Sequence, residues 1–505
     1  MTSLASREMV LAGWVLVAAL VVVILTIVIR GARRTHSVGE YALGSVAFSP
    51  VAVGLALAAS MTSAATFIIN PGFIALYGLA GVVSFAVVLP LAAMISLVVL
   101  TKGFRRHGQT VKALSLAQWM GTRWQSRGYA YFFAVLSLLL VTFIVLIVVG
   151  LTKVLSATLA VDQMIVLWVL VAFVFGYMMF GGANSMVYTN TVQACLMLVV
   201  AVVLLTSGHD RFAAGVGGFL EQLRAIDPDL TAVPNPDSFL FRDWFEIGFA
   251  QVVVGVAIVC QPHIITKSLL LKTDRDVNRY LTVGVVVELL FFSVVIAGLF
   301  ARLAFPDLTA GGQTLAMDDI IPAYVVAEFP VWIGLIVVLG LISAGLSTLE
   351  GLIQSLGTTI TADLVEPLAG RWLPPEGPAR DRALIRANRA AIALLAVTAG
   401  VLSRDQLLDP KLSVAIFAQN GVYAFFAAAF VPILFGMFRT GACRASVIAA
   451  SVTAVAVHFP MHYLDLPVPG TASTGQNPGV AAAVAIVLSV VVALGIDLVR
   501  RRSSA

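Results

Sequence analysis

Charged side chains are scarce in this chain. Asp, Glu, Lys and Arg make up 11% of its 505 residues, whereas a typical soluble domain carries roughly 25%. Hydrophobic residues make up 60%, and the mean hydropathy of +0.99 shows that they are not confined to one core. A large soluble protein needs a polar surface, which this composition does not provide. We therefore predict an all-α polytopic membrane protein whose main partner is the lipid bilayer.

Cysteine and histidine are also rare. The 3 cysteines lack metal-ligand spacing, and their odd number argues against a disulfide framework. The 6 histidines are scattered, so no cluster suited to metal or acid–base chemistry is visible. The net charge of +5 is divided among loops and does not indicate nucleic acid. We therefore expect neither an enzyme nor a bound cofactor, and no required protein partner.

Apolar runs long enough to cross a bilayer recur along the whole chain, and they predict about thirteen transmembrane helices. The second, seventh and ninth runs are too long for one straight span, so we expect them to tilt, break or extend beyond the lipid. The predicted spans are 8–30, 46–78, 80–101, 129–152, 163–182, 187–207, 244–270, 280–305, 323–362, 384–403, 411–437, 441–463 and 478–499.

Basic residues cluster in alternate loops. The clusters follow the first, third, seventh, ninth, eleventh and last spans, whereas the opposite loops at 209–243 and 306–322 are rich in Asp. By the positive-inside rule, the N-terminus is predicted outside and the C-terminus in the cytoplasm, in a plasma (inner) membrane. The basic residues concerned include Arg30, Arg33, Arg34, Lys102, Arg105, Arg106, Lys112, Lys267, Lys272, Arg439, Arg444 and Arg500 to Arg502.

Small and hydroxyl residues interrupt the second span. Residues 58–67 read AASMTSAATF, and Asn70, Pro71 and Gly72 follow. Pro71 removes a backbone donor and Gly72 weakens a helix, so we expect a break there. Irregular backbone survives in lipid only where protein buries it or where it lines a cavity. Freed carbonyl oxygens would suit Na⁺, although the same run could be a small-residue packing face between helices.

The ninth span contains a second polar stretch. Ser347 and Thr348 are adjacent hydroxyls, and the carbonyl of Ala344 lies one turn earlier. A single Ser or Thr often only bonds to the preceding turn. That alternative does not explain Glu350, because an acid within a spanning helix is costly and should face a cavity or a partner.

Isolated polar residues in other spans leave alternatives open. His263, after Pro262, is either a proton carrier or, as we favour, a structural polar group near the cytoplasmic interface. Glu288 is either a coupling group or a partner for a neighbouring helix. Gln419 and Asn420 either contact a solute or bond to a neighbouring helix.

Together these motifs resemble the sodium/solute symporter family over nearly the whole chain. Within that family, the sequence resembles the pantothenate and proline permease branches. The residues that carry the resemblance are the stretch 59–72, Gln261-Pro262-His263, Ala344-x-x-Ser347-Thr348 with Asp363, Gly421 and Pro432.

This resemblance implies a LeuT-type core of two inverted five-helix repeats, each beginning with a broken helix. The first repeat would occupy 41–208 and the second 244–437. An extracellular loop, 209–243, would join them. Residues 1–40 would form the first helix and a basic cytoplasmic loop, and 438–505 two further helices and a short basic tail. The implied function is Na⁺-coupled symport of a small organic solute by alternating access.

The resemblance also implies an ion site, formed by the carbonyls of Ala59, Thr62 and Ala344 and the hydroxyls of Ser347 and Thr348. The solute should lie beside the broken second helix. We interpret the solute as a small organic anion, such as a carboxylate or a vitamin like pantothenate. The candidate solute-binding residues are Ser60, Met61, Ser63, Thr66, Gln251, Gln419 and Asn420.

Three positions depart from the family pattern. Met61 stands where proline permeases have Asp, Glu350 where a small or neutral residue is usual, and Lys267 where Arg is usual. H⁺ coupling through Glu350 therefore remains an alternative to Na⁺. A non-transporting sensor of the family would carry a long C-terminal signalling domain, and the chain ends soon after Arg502, so we expect a transporter. A channel, which needs no coupling ion, is a further alternative that concentrative, gradient-dependent uptake would exclude.

Overall fold

The structure is a computed structural model that describes residues 6–44, 48–111, 113–409, 413–439 and 441–504; the side chains at 106–111 and 501–504 lie outside the description. The predicted starts of the second and eleventh spans, at 46 and 411, and the basic residue Lys112 also lie outside the described residues.

Apolar helices dominate the described chain. Ten are long and apolar enough to cross a membrane, two further pairs form bent spans, and one shorter apolar helix completes the set. In chain order they are α1 (Arg7–Ala32), α2 (Pro50–Met61), α3 (Ala65–Tyr77), α4 (Leu79–Arg105), α5 (Arg127–Leu159), α6 (Gln163–Met178), α7 (Ala183–Phe212), α8 (Phe245–Ile258), α9 (Pro262–Leu270), α10 (Asp274–Ala304), α11 (Val331–Trp372), α12 (Pro378–Leu408), α13 (Val414–Phe438), α14 (Arg444–Tyr463) and α15 (Pro478–Arg500).

Shorter elements occupy the connections between these helices. The only strands in the described ranges form one antiparallel pair of two residues each. The short helices are Val38–Leu43, Leu116–Arg123, Gly215–Ile226, Pro228–Thr231 and Ile320–Glu328, and the strands are β1 (Thr309–Ala310) and β2 (Gln313–Thr314). The predicted all-α membrane fold is confirmed, and the predicted count of thirteen spans is approximately matched.

The second span is broken between α2 and α3, which meet at an angle of 54°. Thr62 is extended there (φ −96°, ψ 99°), and the Ser63 hydroxyl accepts a hydrogen bond from the Ala65 amide at 3.1 Å. The expected break of the second span is thus confirmed, but it lies at Thr62 to Ala64 rather than at Pro71 and Gly72. Both lie inside α3, where a preceding π-helical turn accommodates the proline.

The seventh span is broken as well. α8 and α9 are bent by 56° around the extended residue Gln261, and Pro262 occupies the first turn of α9. Proline is favoured there because the first turn leaves its amide position unbonded in any helix. The two bent spans are the second and the seventh, five apart, which is the spacing expected for the first helices of two five-helix repeats.

The ninth span begins later than predicted. The predicted span begins at 323, but Ile320–Glu328 is a separate short helix, and α11 begins at Val331. Phe329 is extended because it precedes Pro330, and a residue before proline is disfavoured in the α conformation. The prediction failed here because hydropathy does not register a proline between two apolar helices.

Burial separates central from peripheral helices. In the most apolar window of α11 and α13, 72% and 78% of residues are buried, against 17% in α1. α1 therefore lies at the periphery, with apolar side chains such as Val15 exposed. α11 and α13 lie in the protein interior, where polar side chains are shielded from lipid.

Candidate ion and solute site

Four of the five predicted ion ligands lie together where α11 crosses the end of α2. The Ser347 hydroxyl donates to the Ala59 carbonyl at 2.6 Å and lies 3.0 Å from the Ala344 carbonyl. The Thr348 hydroxyl lies 3.5 Å from the Ala59 carbonyl, 3.3 Å from that of Ser60 and 3.4 Å from that of Ala344. Ala59, Ser60, Ala344, Ser347 and Thr348 are all fully buried. We call this group of oxygens the α2–α11 oxygen cluster.

Local structure explains why these oxygens meet. A helix leaves its last carbonyls without helical partners, and α2 ends at Met61, just after Ala59 and Ser60. On α11, residues three and four apart share one face, which places the Ala344 carbonyl beside the hydroxyls of Ser347 and Thr348. The cluster contains only neutral carbonyl and hydroxyl oxygens. Unwound carbonyls of this kind coordinate Na⁺ in transporters with broken helices.

The fifth predicted ligand, Thr62, follows directly after α2. Its hydroxyl donates to the Glu288 carboxylate on α10 at 2.7 Å, so this side chain faces α10 rather than Ser347. The Thr62 carbonyl, which is the predicted ligand, belongs to the extended stretch of the break.

Asn190 on α7 connects both helices of the oxygen cluster and was missed by the sequence analysis. Its side-chain amide donates to the Ser60 hydroxyl at 3.0 Å and lies 3.4 Å from the Ser347 carbonyl. Its own Oδ1 has no partner among the described residues. The sequence does contain a sign of this role, since Asn190 is an amide within an apolar span. Such a group is unfavourable in a membrane unless it is hydrogen-bonded within the protein.

Glu350 points away from the oxygen cluster. Its carboxylate accepts hydrogen bonds from Tyr177 on α6 at 2.7 Å and from Thr189 and Gln193 on α7 at 2.5 and 3.3 Å. Although Glu350 follows Ser347 and Thr348 closely in the sequence, its carboxylate joins α11 to α6 and α7. A buried carboxylate with three donors is well satisfied.

The predicted solute residues divide into two groups. Ser60, Met61, Ser63 and Thr66 gather at the break between α2 and α3; Met61 is partly exposed and the other three are buried. These four are adjacent to the oxygen cluster through Ser60, whose carbonyl belongs to it.

The other three candidates lie on α8 and α13. Gln251 lies against the start of α15, since a Cβ added at Gly479 would be 3.8 Å from its Nε2. Asn420 lies beside α14, where the ring Nε2 of His458 is 2.9 Å from its Oδ1. Gln419 is half-buried on α13. The structure thus places Gln251 and Asn420 in contact with helices outside the two predicted repeats.

A small polar cavity lies between α9 and the stretch 351–358 of α11. Lys267 and His263 are 3% and 4% exposed, and neither the Lys267 Nζ nor the His263 ring nitrogens have a hydrogen-bond partner in the described ranges. The cavity has a volume of about 30 Å³ and is also lined by Ser115, Gln354 and Thr358. Its donors are those expected to attract an anionic group.

An ion pair connects α5 with the segment that precedes the short helix Ile320–Glu328. Lys153, near the end of α5, lies 3.2 Å from Asp319 and 3.8 Å from Asp318, and the Ser413 hydroxyl at the start of α13 lies 3.5 Å from Asp318. Burial raises the pKa of Asp318, and the nearby Lys153 opposes that shift. This group joins a helix of the first predicted repeat to elements of the second.

Comparison with known proteins places these features in context. The model of the sodium:solute symporter family matches residues 41–450. The sodium/pantothenate symporters of Escherichia coli and Haemophilus influenzae are 31% and 26% identical over 286 and 320 residues, which cover 55% and 63% of this chain. The matches span 58% and 64% of those two relatives. The sodium/proline symporter of Escherichia coli is 23% identical over 85% of this chain and 84% of its own length.

A solved structure extends the likeness to the fold. A Na⁺-coupled sialic acid symporter in a substrate-bound, outward-open state has a TM-score of 0.74, with 15% identity over 94% of this chain and 96% of that one. At this identity the likeness concerns the fold alone.

Proposed function

Because this chain belongs to the sodium:solute symporter family, we propose that it is a Na⁺-coupled symporter that moves a small organic solute by alternating access. The family consists of transporters rather than enzymes, and the chain is a multi-pass membrane protein. The observation that carries the proposal is the α2–α11 oxygen cluster. There the Ser347 and Thr348 hydroxyls share the Ala59 carbonyl at the end of a broken helix.

The cluster explains how ion binding drives a conformational change. Its oxygens come from two helices, α2 and α11, so Na⁺ binds strongly only in states that keep these helices together. A ligand shifts an equilibrium by its difference in affinity for the two states, and typical couplings are roughly 1–3 kcal/mol. The solute, bound beside the break between α2 and α3, contacts the same end of α2. Ion and solute therefore favour the same arrangement of α2.

We propose that the solute is an organic anion, such as a carboxylate. The buried Lys267 and His263 support this, because their side-chain nitrogens have no hydrogen-bond partner in the described ranges and line a cavity on the predicted cytoplasmic side of the site. In the present arrangement a cavity of about 30 Å³ holds about one water. We infer that an anionic group passes it when α9 moves. Pantothenate, which two relatives are named for, is the first solute to test.

The proposed arrangement in the membrane follows from the sequence. The repeats at 41–208 and 244–437 would move against each other, and the loop at 209–243 would be extracellular. The N-terminus would lie outside and the C-terminus in the cytoplasm of the plasma membrane. Single cysteines at either end, tested with an impermeant thiol reagent in intact cells, would measure this orientation.

The decisive experiment is uptake into proteoliposomes that contain the purified protein. Radiolabelled pantothenate, proline and a panel of other carboxylates are supplied with an inward Na⁺ gradient or, separately, an inward H⁺ gradient. We expect accumulation of an anionic solute with Na⁺ alone. Accumulation with H⁺ alone would contradict Na⁺ coupling and favour the alternative through Glu350. Flux without accumulation would contradict coupled transport and leave the channel as an alternative.

A further inference from the structure

Glu288 is the least satisfied acid in the described interior. It lies on α10 and is 0% exposed. Its Oε2 accepts one hydrogen bond from the Thr62 hydroxyl at 2.7 Å, whereas its Oε1 has no partner in the described ranges. No ion pair joins it to a Lys, Arg or His of those ranges. By contrast, Glu350 has three donors, and the charge of Lys267 acts on it as well.

A carboxylate in this position requires neutralisation. Transfer of an unpaired charge from water to an apolar interior is very unfavourable, so buried acids are protonated, paired or bound to a cation. One hydroxyl donor does not replace the lost hydration, and no basic side chain of the described ranges pairs with the carboxylate. A cation from solution would meet this requirement.

The position of Glu288 connects it to the moving part of the site. Thr62 is the first residue after α2, three residues after Ala59, whose carbonyl belongs to the oxygen cluster. α10 packs closely along α2 at Gly54, where a Cβ would be 2.8 Å from the Tyr280 carbonyl. Thr62 stands at the 54° bend between α2 and α3, so its backbone is where a change in the angle between these helices acts, and its hydroxyl is held by Glu288.

We propose that Glu288 and the break at Thr62 form a second coupling-cation site, which takes up one monovalent cation, a proton or Na⁺, in each transport cycle. Cation binding at Glu288 removes its charge and stabilises the arrangement in which Thr62 faces α10. When α2 moves away, the site loses the Thr62 oxygen and the cation is released. This inference rests on the proposed symport function. It predicts that a monovalent anionic solute crosses with two cations and hence with one net positive charge.

The test is cation binding to the purified protein without solute. ²²Na⁺ binding at saturation gives the number of Na⁺ ions per chain, and a pH dye in weakly buffered solution reports proton exchange when Na⁺ is added. The variants are Glu288→Gln, which has nearly the same shape, and Ser347→Ala with Thr348→Ala. The matched control is Glu328→Gln, the same change at an exposed residue.

Two results would support the second site. If Glu288 binds Na⁺, the wild-type chain and Glu328→Gln bind two ions and Glu288→Gln binds one. If Glu288 binds a proton, the wild type and Glu288→Gln each bind one Na⁺. The proton exchange seen with the wild type then disappears in Glu288→Gln. If Glu288→Gln changes neither quantity, the proposal is refuted.

Two further variants keep the result interpretable. Should Glu288→Gln fail to fold, Thr62→Val retains the carboxylate and removes the only hydrogen-bond donor that it has in the described ranges. We then expect the second Na⁺ to bind about tenfold more weakly, or the proton exchange to shift in pH; unchanged behaviour would refute the proposal. The Ser347→Ala and Thr348→Ala double variant reports on the first site alone. If it keeps all Na⁺ binding, the proposed ion site at the oxygen cluster fails, whatever the result at Glu288.

Discussion

Removal of the two hydroxyls of the oxygen cluster is the most direct test of the coupling site. Ser347→Ala and Thr348→Ala each delete one oxygen that lies within 3.5 Å of the Ala59 carbonyl. Both side chains are fully buried, so water does not readily replace the missing ligand. The carbonyls of Ala59 and Ala344 remain, and the backbone of α11 is unaffected because Ala favours helix.

The expected loss of Na⁺ affinity follows from the charge of the ion. An interaction between a hydroxyl and a charged group contributes about 1.5–3 kcal/mol, and every 1.4 kcal/mol changes a dissociation constant tenfold. Each single variant should therefore weaken Na⁺ binding roughly 10- to 100-fold. The double variant should lose Na⁺ stimulation of uptake at any practical concentration. Thr348→Ser retains the hydroxyl and should bind Na⁺ nearly as the wild type does.

The assay combines the Na⁺ dependence of uptake in proteoliposomes with ²²Na⁺ binding to the purified protein. Thr398→Ala is the matched control, because that hydroxyl is exposed on α12 and bonds only to the Leu394 carbonyl of its own helix. Size-exclusion elution as a single peak would show that each variant inserts and folds. Full Na⁺ dependence in a folded double variant would refute the assignment of the oxygen cluster as the ion site.

Three further predictions concern the surroundings of the site. Glu350→Gln leaves one of the three hydrogen-bond donors around residue 350 without an acceptor. We expect it to lower the free energy of unfolding by about 1–3 kcal/mol, measured in a thermal unfolding scan. Na⁺ should remain the driving ion in the uptake assay. Asn190→Ala removes the hydrogen bond to Ser60, and the apparent Na⁺ affinity should fall about 2- to 10-fold, measured by ²²Na⁺ binding. Lys153→Met should favour the outward-open state and increase labelling of a cysteine placed at Ser63 by an impermeant reagent, whereas the exchange of charges in Lys153→Asp with Asp319→Lys should restore wild-type labelling.

The membrane architecture was predictable because each span carries its own signal. A helix that crosses lipid must satisfy its backbone internally and present apolar side chains, so hydropathy locates it without knowledge of its neighbours. The prediction failed where a local feature has no hydropathic signature. Pro330 separates two apolar helices that the sequence analysis had joined, and the break of the second span lies at Thr62 rather than at Pro71.

The position of that break shows why tertiary structure was needed. Pro71 is the stronger helix breaker by propensity, yet a π-helical turn accommodates it inside α3. At Thr62 and Ser63, hydroxyl side chains bond to Glu288 and to the Ala65 amide and so satisfy an interrupted backbone. The contact with Glu288 spans 226 residues of sequence, so no local pattern reports it.

The two isolated acids also show which properties follow from the sequence and which depend on the tertiary structure. The sequence by itself determined that Glu288 and Glu350 lie within apolar spans and need partners, because an unpaired charge is unstable in lipid. It also indicated Ser347 and Thr348 through a motif within one turn of helix. Only helix packing decided that Glu350 meets Tyr177, Thr189 and Gln193, while Glu288 meets a single hydroxyl. Burial is a property of each segment, whereas satisfaction of a buried charge depends on side chains contributed by distant helices.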